Sequence, residues 1–302
     1  MLATLARELP RDDGRWGYEF KWDGVRALVF VHDGEVRVQG RSQRDFTVQY
    51  PEVTGLGAVL GARDVVLDGE VVALGPDGTP SFQVLQRRMH VVSPHDVRTR
   101  MADTPVIYMP FDVLRLDGEL TIDRPYTERR ALLEALELAG NNWQTPPSQT
   151  GDGEAVFDVA RLRGLEGVVA KRLDSHYEPG RRSRAWLKIK NKQHTRLVIG
   201  GWAEGNGNRA GRIGALLVGY HDGDDLRYAG NVGSGFTERT LLDLQTRLAP
   251  LARRDNECPF ANPPRWPHLH YVEPVLECEV EFTEWTEEHT LRHPVFKGLR
   301  DS

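Results

Sequence analysis

Three groups of charged residues in the first 190 positions have the types and spacing to handle an anion. The first is Glu19-Phe20-Lys21-Trp22-Asp23-Gly24-Val25-Arg26, where a lysine stands two residues from an acid on either side. On an extended backbone Glu19, Lys21 and Asp23 share one face, and Phe20 and Trp22 turn the other way, towards a core. The second is Lys188-Ile189-Lys190. Two ammonium groups on one strand face repel, and an anion between them relieves that repulsion. The third is a pair of acid-glycine steps before apolar runs: Asp68-Gly69-Glu70 before Val71-Val72, and Glu166-Gly167 before Val168-Val169. Lys171-Arg172 follows just beyond the second of these. Taken singly, each is more often a solvated strand end. Together they point to a site for a phosphate and a metal.

The elements that must position these residues follow from hydrophobic pattern and turn signals. Residues 26–41 predict a hairpin about Asp33-Gly34. A short helix is expected over 51–60, a buried strand over 65–74, and a helix from Ser81 to Arg88 capped by Ser81. Residues 106–114 read as a strand whose internal Pro110 requires a bulge or an edge. Thr127 is expected to cap a helix that runs to Ala139 and stops at Gly140, and a second helix spans 154–162. Short strands are expected at 167–170 and 186–190. After Lys190 the character changes. Strands at 197–202, 214–220, 226–232 and 270–281, with one helix over 237–248, suggest an OB-like barrel. The boundary falls near residue 192.

Composition narrows the class. A chain of 302 residues has room for two cores. No apolar run approaches the roughly 20 residues that span a bilayer, and the N-terminus lacks a secretory pattern. Only Cys258 and Cys278 occur, which excludes a zinc ribbon and fits a reducing cytoplasm. The net charge of −5 means that any contact with nucleic acid must come from local basic surface.

In chain order, the charged segments resemble the covalent nucleotidyltransferases, specifically the ATP-dependent DNA ligases. Lys21-Trp22-Asp23-Gly24-Val25-Arg26 matches motif I, and Arg41 the arginine element after it. Asp68-Gly69-Glu70 matches motif III, Phe111-Asp112 motif IIIa, Glu166-Gly167-Val168-Val169 motif IV and Trp186-Leu187-Lys188-Ile189-Lys190 motif V. Ile199-Gly200-Gly201-Trp202, Phe282-Thr283-Glu284-Trp285-Thr286 and the run Leu291 to Asp301 look like the ligase module of bacterial ligase D. The resemblance covers residues 15–301 and implies an α+β chain. A nucleotidyltransferase domain of antiparallel sheets flanked by helices (1–192) would precede an OB-fold β-barrel domain (193–302).

The resemblance also implies a chemistry. Lys21 attacks the α-phosphorus of ATP, pyrophosphate leaves, and AMP passes from the lysine to a 5′-phosphate before a 3′-hydroxyl displaces it. A free lysine, with a pKa of about 10.4, is almost wholly charged at neutral pH. Arg26, Lys188, Lys190 and a divalent metal would favour its neutral form. Asp23 and Glu166 are the expected ligands of Mg2+ or Mn2+. Phe111 would stack on adenine, with Val168 or Val169 closing the other side, and Glu70 would meet the ribose. Lys188 and Lys190 would hold the α-phosphate. Glu19, Arg26, Arg41 and Arg184 would complete the nucleotide and 5′-phosphate contacts, and Arg300 with Asp301 would close over pyrophosphate. Nicked or broken duplex DNA is the implied partner, with Ku and a polymerase module as associates. A monomer in the bacterial cytoplasm, with no membrane contact, is expected.

Some positions depart from this pattern. The chain ends at Asp301-Ser302 without a following lysine, and Asn231 stands where a basic residue is expected. Asn206, Asn208 and Arg209 fit either a backbone-tracking loop or a plain hairpin tip. The glutamates at 277, 279, 281, 284, 287 and 288 read as a solvated face turned away from DNA. An RNA ligase or a capping-type guanylyltransferase shares the lysine chemistry. A catalytically silent OB-containing DNA-binding protein would not need Lys21.

Overall fold

The computed structural model describes every residue except Asn206, Asn208, Arg209, Ala210, Asp255, Glu287, Asp301 and Ser302. The chain divides into two units, Met1–Asn191 and Lys192–Ser302. The expectations for Asn206, Asn208, Arg209, Glu287 and Asp301 fall outside the described residues.

In the first unit the strands are β1 (Leu2–Ala6), β2 (Trp16–Phe20), β3 (Val25–His32), β4 (Glu35–Gly40), β5 (Val65–Ala73), β6 (Val106–Leu116), β7 (Glu119–Leu120), β8 (Ser148–Thr150), β9 (Gly167–Arg172) and β10 (Arg182–Lys190). Its helices are α1 (Leu56–Leu60), α2 (Phe82–Gln86), α3 (Pro94–Asp103), α4 (Tyr126–Glu134) and α5 (Gly153–Leu162). One sheet has the order β1-β10-β9-β2-β8 and the other β4-β3-β5-β6-β7. Only β1 and β10 pair in parallel.

Period-2 burial explains the second of these sheets. In β3, Ala27, Val29 and Val31 are buried and pack with Leu56, Leu60, Leu67 and Leu133, so one sheet face and its covering helices share a core. The β3–β4 turn uses Asp33 and Gly34 at φ 47° and 78°, the paired left-handed conformation that suits a two-residue hairpin. The other sheet packs Trp16, Tyr18, Val168, Ala170 and Ile189 against Ala160 and Leu165 on and after α5.

Several local expectations need correction. The helix expected from Thr127 to Ala139 starts at Tyr126 and ends at Glu134, and the residue in its cap position is Pro125, which has no side-chain cap bond. Its end is set by Glu137 at φ 48° and by Ala139, which forms a bridge with Gln144 instead of a further turn. Ser81 caps α2 through Val84 N at 3.3 Å, but that helix closes at Gln86. Helix α3 has no counterpart in the sequence reading. Its mostly polar run offers little apolar periodicity, and only Val97 is buried.

Pro110 does mark a bulge. The β5–β6 register passes from Asp68↔Asp112 to Gly69↔Pro110, leaving Phe111 without a residue opposite.

In the second unit the elements are β11 (Gln193–Glu204), β12 (Ile213–Asp222), β13 (Asp225–Val232), α6 (Glu238–Leu248), β14 (Leu269–Phe282), β15 (Glu284–Trp285), β16 (Leu291–Arg292) and β17 (Val295–Arg300). Five of the strands form an antiparallel sheet in the order β13-β12-β11-β14-β17. This is the OB-type unit, although among the described residues no ladder joins β17 back to β13, so the barrel is not closed by hydrogen bonds. Thr237 and Thr240 form a reciprocal capping box at the start of α6, which buries Leu244 and Leu248.

The glutamate run is not a simple solvated face. Glu281 is buried and binds Lys192 at 2.8 Å and Lys297 at 3.0 Å; Glu279 meets His194 at 3.0 Å and also Arg300. Cations on or just before the flanking strands β11 and β17 neutralise β14 across the ladder. Asn231 accepts from the Tyr228 hydroxyl at 2.7 Å.

Candidate active site

A cleft of about 240 Å³ in the first unit is lined from both of its five-stranded sheets. Register places the residues. In β2, β9 and β10, Phe20 opposes Val168, which opposes Ile189; the next row pairs Lys190 with Gly167, whose carbonyl accepts from Lys21 N at 2.9 Å. Lys21, just past the end of β2, therefore sits beside Gly167 of β9 and Lys190 of β10. Two residues along, Glu19, Val169 and Lys188 form a second row on the same face; two further on, Gly17, Lys171 and Trp186 form a third. The alternation turns Val168 the other way. It is fully buried in the core, and its neighbour Val169 lines the cleft. Of the two residues expected to close over the base, only Val169 faces the cleft.

Gly167 is required here. Its φ is 139°, and a Cβ at this position would strike the Ile189 carbonyl. The missing side chain lets β9 and β10 close, which brings Glu166 to the lysines.

Glu166 is the charge at the centre of the site. One carboxylate oxygen accepts from Lys21 Nζ, and the other lies 2.8 Å from Lys190 Nζ. Burial alone would raise its pKa, but Lys21 and Lys190 outweigh this and hold it below the ordinary carboxylate value. Lys188 lines the cleft, and burial together with Lys21 and Lys190 lowers its pKa. The repelling lysine pair of the sequence thus has an internal anion, Glu166. Lys188 has no such carboxylate bond among the described residues.

The opposite wall comes from β3, β5 and β6. Glu70 is pushed up to about 8 by burial, against the pull of Lys21 and Arg26. Arg26 reaches the cleft wall but is committed to a fork with Asp68 at 2.8 and 2.5 Å; Asp68 also accepts from the Tyr177 hydroxyl at 2.8 Å. Burial, which lowers the Arg26 pKa, is overridden by Asp68, so its charge is fixed. Phe111 projects from its bulge into the cleft, and the next residue, Asp112, is forked by Arg129 at 2.8 and 3.0 Å. Glu19, fully enclosed, binds Lys171 at 2.8 Å and accepts from Tyr126 at 2.6 Å.

The remaining expected residues are distributed unevenly. Arg41 is exposed at the cleft lining. Arg184 is not part of the lining, and Arg182 takes that place. The β1–β10 register jumps from Ala3↔Ser183 to Thr4↔Leu187, so the bulge between them breaks the alternation that would have put positions 182 and 184 on one face. Asp23 is also absent from the lining. Phe20 packs against the core of its sheet as expected and also touches the cleft, whereas Trp22, expected in the core, lies in the cleft wall, because β2 ends at Phe20 and strict alternation ends with it. Arg300 belongs to β17 of the second unit.

Sequence reading gave no role to Lys171, Arg182, Trp22, Trp186 or Tyr177. Lys171 and Trp186 were within reach of it, since they continue the alternation of Val169 and Lys188. Among the described residues no group of three or more His, Cys, Asp or Glu side chains forms a metal cage. The donor set fits a divalent ion that arrives bound to phosphates and takes one carboxylate, Glu166, from the protein.

Two packed sheets around a lysine-bearing cleft, followed by an OB-type unit, define the architecture of a nucleotidyltransferase. Residues 1–190 match the family model for the ATP dependent DNA ligase domain, and residues 209–302 match that for the ATP dependent DNA ligase C terminal region. The chain belongs to the ATP-dependent DNA ligases. It is 40% identical over 301 residues to the multifunctional non-homologous end joining DNA repair protein LigD of Mycobacterium tuberculosis, covering 99% of this chain and 38% of that protein. It is 34% identical over 315 residues to a DNA ligase of Methanoculleus marisnigri, covering 100% of this chain and 54% of that one. The crystal structure of the ligase domain from M. tuberculosis LigD superposes with a TM-score of 0.58 at 40% identity, covering 99% of this chain and 93% of that one. The chain thus spans well under half the length of its LigD relatives. No helix among the described residues is long and apolar enough to cross a membrane.

Proposed function

We propose that this chain seals breaks between a 3′-hydroxyl and a 5′-phosphate in duplex DNA, using ATP, through a covalent AMP on Lys21. The observation that carries this reading is the row formed by Lys21, Glu166 and Lys190, with Lys188 beside it. In the first step the Lys21 amine attacks the α-phosphorus. A P–N bond forms, the bond to the bridging oxygen of pyrophosphate breaks, and the amine proton is lost. The Lys21 Nζ is engaged by Glu166, so it is free to attack only when that contact opens. Lys188 and Lys190 then face the phosphoryl oxygens on which negative charge accumulates. Mg2+ or Mn2+, when bound with the nucleotide, would supply charge stabilisation at the α-phosphate, with Glu166 as its protein ligand. Asp23 remains the second candidate ligand.

Phe111 and Val169 are assigned to the two sides of adenine, and Glu70 to the ribose. A carboxyl with a pKa of about 8 is mostly protonated at neutral pH and can donate to a sugar oxygen as well as accept. Arg41 and Arg182 at the rim suit the 5′-phosphate to which AMP passes, as the P–N bond breaks and a phosphoanhydride forms. The 3′-hydroxyl then attacks that 5′-phosphate and AMP leaves. Units 1–192 and 193–302 act as the adenylation domain and the OB-fold domain. The two-residue link between β10 and β11 serves as a hinge that lets Arg300 and Asp301 serve the first step and the barrel grip DNA afterwards. Because the LigD relatives are end-joining proteins of greater length, we place the activity in end joining, in the bacterial cytoplasm. The chain would act as a monomeric module beside Ku and a polymerase.

Incubation with α-labelled ATP and either metal tests the reading. Label should survive denaturation, vanish in Lys21→Ala, and transfer to nicked DNA with a 5′-phosphate. An unlabelled wild type, or a labelled Lys21→Ala, overturns it.

A further inference from the structure

Lys171 is 1% exposed, yet no step above uses it. Its Nζ donates to Glu19 at 2.8 Å and to the Phe111 carbonyl at 2.9 Å. It also lies 4.6 Å from the Phe111 ring centroid, 4.5 Å from that of Trp186 and 5.1 Å from that of Tyr126. A cation held this deep costs free energy to desolvate, and it persists where its hydrogen bonds replace water.

The reason for its position lies in β6. Phe111 has no residue opposite it in β5, and Pro110 before it has no N–H to give. The bulge carbonyl therefore needs a donor from outside the ladder. The Lys171 ammonium supplies that donor and sits close to the ring of the same residue. On the far side, Asp112 is fixed by Arg129. Phe111 is thus held twice in succession just after its side chain leaves the backbone, at its own carbonyl and at Asp112.

We propose that Lys171 is a positioning residue for the nucleotide base: by tying the bulge carbonyl to β9 and, through Glu19, to β2, it sets the Phe111 ring where adenine stacks. This rests on the adenylation reading above. It assigns to motif IV's strand a second task, separate from that of Glu166. The effect of Lys171 runs through Phe111, so it bears on how much ATP is needed to fill the site and not on the phosphoryl transfer.

The test measures label transfer to Lys21 as a function of ATP concentration in Lys171→Met, Phe111→Ala and the double variant. Lys171→Met should raise the half-saturating ATP concentration about tenfold while changing the rate at saturating ATP less than threefold. The double variant should be no worse than Phe111→Ala alone, since the two act as one unit. Lys171→Arg, which keeps a donor and a charge, should recover part of the loss. Because Lys171→Met removes the nearest counter-charge of Glu19 and leaves it, among the described residues, only Arg130 at 3.6 Å, Glu19→Gln/Lys171→Met is measured alongside and should show the same raised ATP requirement in a chain whose thermal melt is intact. A fall in the saturating rate at unchanged ATP requirement overturns the proposal, and so do independent, multiplying losses in the double variant. Failure of the adenylation reading would appear separately, as absence of Lys21-dependent label in the wild type.

Discussion

Lys21 and Lys190 are joined through opposite oxygens of the Glu166 carboxylate, although 169 positions separate them in the chain. Strand pairing makes this possible, because both lysines lie beside Gly167 on neighbouring strands. On the proposed reading, the carboxylate that holds Lys21 here is the one from which it must be released to react.

Glu166→Gln should abolish most of the label transfer, by about 100-fold or more, a loss of the size seen when a placed charge-stabilising group is removed. It would leave Lys21 and Lys190 facing each other without a counter-charge. Single-turnover labelling with saturating ATP is the measurement. A variant within threefold of the wild type would show that Glu166 has no part in the step.

Glu70 makes the stability of the free protein depend on pH. Its folded pKa of about 8 lies above the ordinary 4.5, so between these values the native state holds a proton that the unfolded chain has shed. Its stabilising contribution is full below pH 4.5 and is lost as the pH rises through 8. Glu70→Gln removes the charge. Its melting temperature relative to the wild type should therefore climb between pH 5 and pH 9, and a difference that stays flat across that range refutes the assignment.

Arg182 and Arg184 separate the structural reading from simple spacing. Arg182 lines the cleft with Lys188, and Arg184 does not. Arg182→Ala should slow transfer of AMP to a 5′-phosphorylated nick by about tenfold, the loss of one charged hydrogen bond, and Arg184→Ala much less. Comparable losses in both would favour spacing over geometry.

The buried pair of Asp112 and Arg129 anchors the Phe111 bulge, and both side chains are fully enclosed. Arg129→Met should destabilise the first unit by about 3–5 kcal/mol, because it leaves a buried carboxylate without its partner. Denaturant unfolding measures this. A change below 1 kcal/mol would mean that Asp112 is readily protonated and that the pair holds little.

The sequence alone determined the elements with a strict period and an unambiguous turn. These are the Asp33-Gly34 hairpin, the strands at Val65 and Gly167, the middle of the strand over 197–202, the helix after Thr237, and the shared face of Lys188 and Lys190 on β10. By their order along the chain it also singled out Lys21, Glu166, Lys188 and Lys190 as candidates, of which Lys21, Glu166 and Lys190 meet in the fold. It left open whether Val168 or Val169 faces the cleft, and it did not show that Arg182, and not Arg184, reaches the lining. Which face a residue presents depends on where a strand begins, ends or bulges, and one irregularity inverts the parity of every residue after it. Nor could it show that Glu166 would bridge Lys21 to Lys190, or that Lys171 would hold the carbonyl of Phe111. Those contacts form only when β9 settles between β2 and β10, and when a bulge on β6 leaves a carbonyl that its own sheet cannot satisfy.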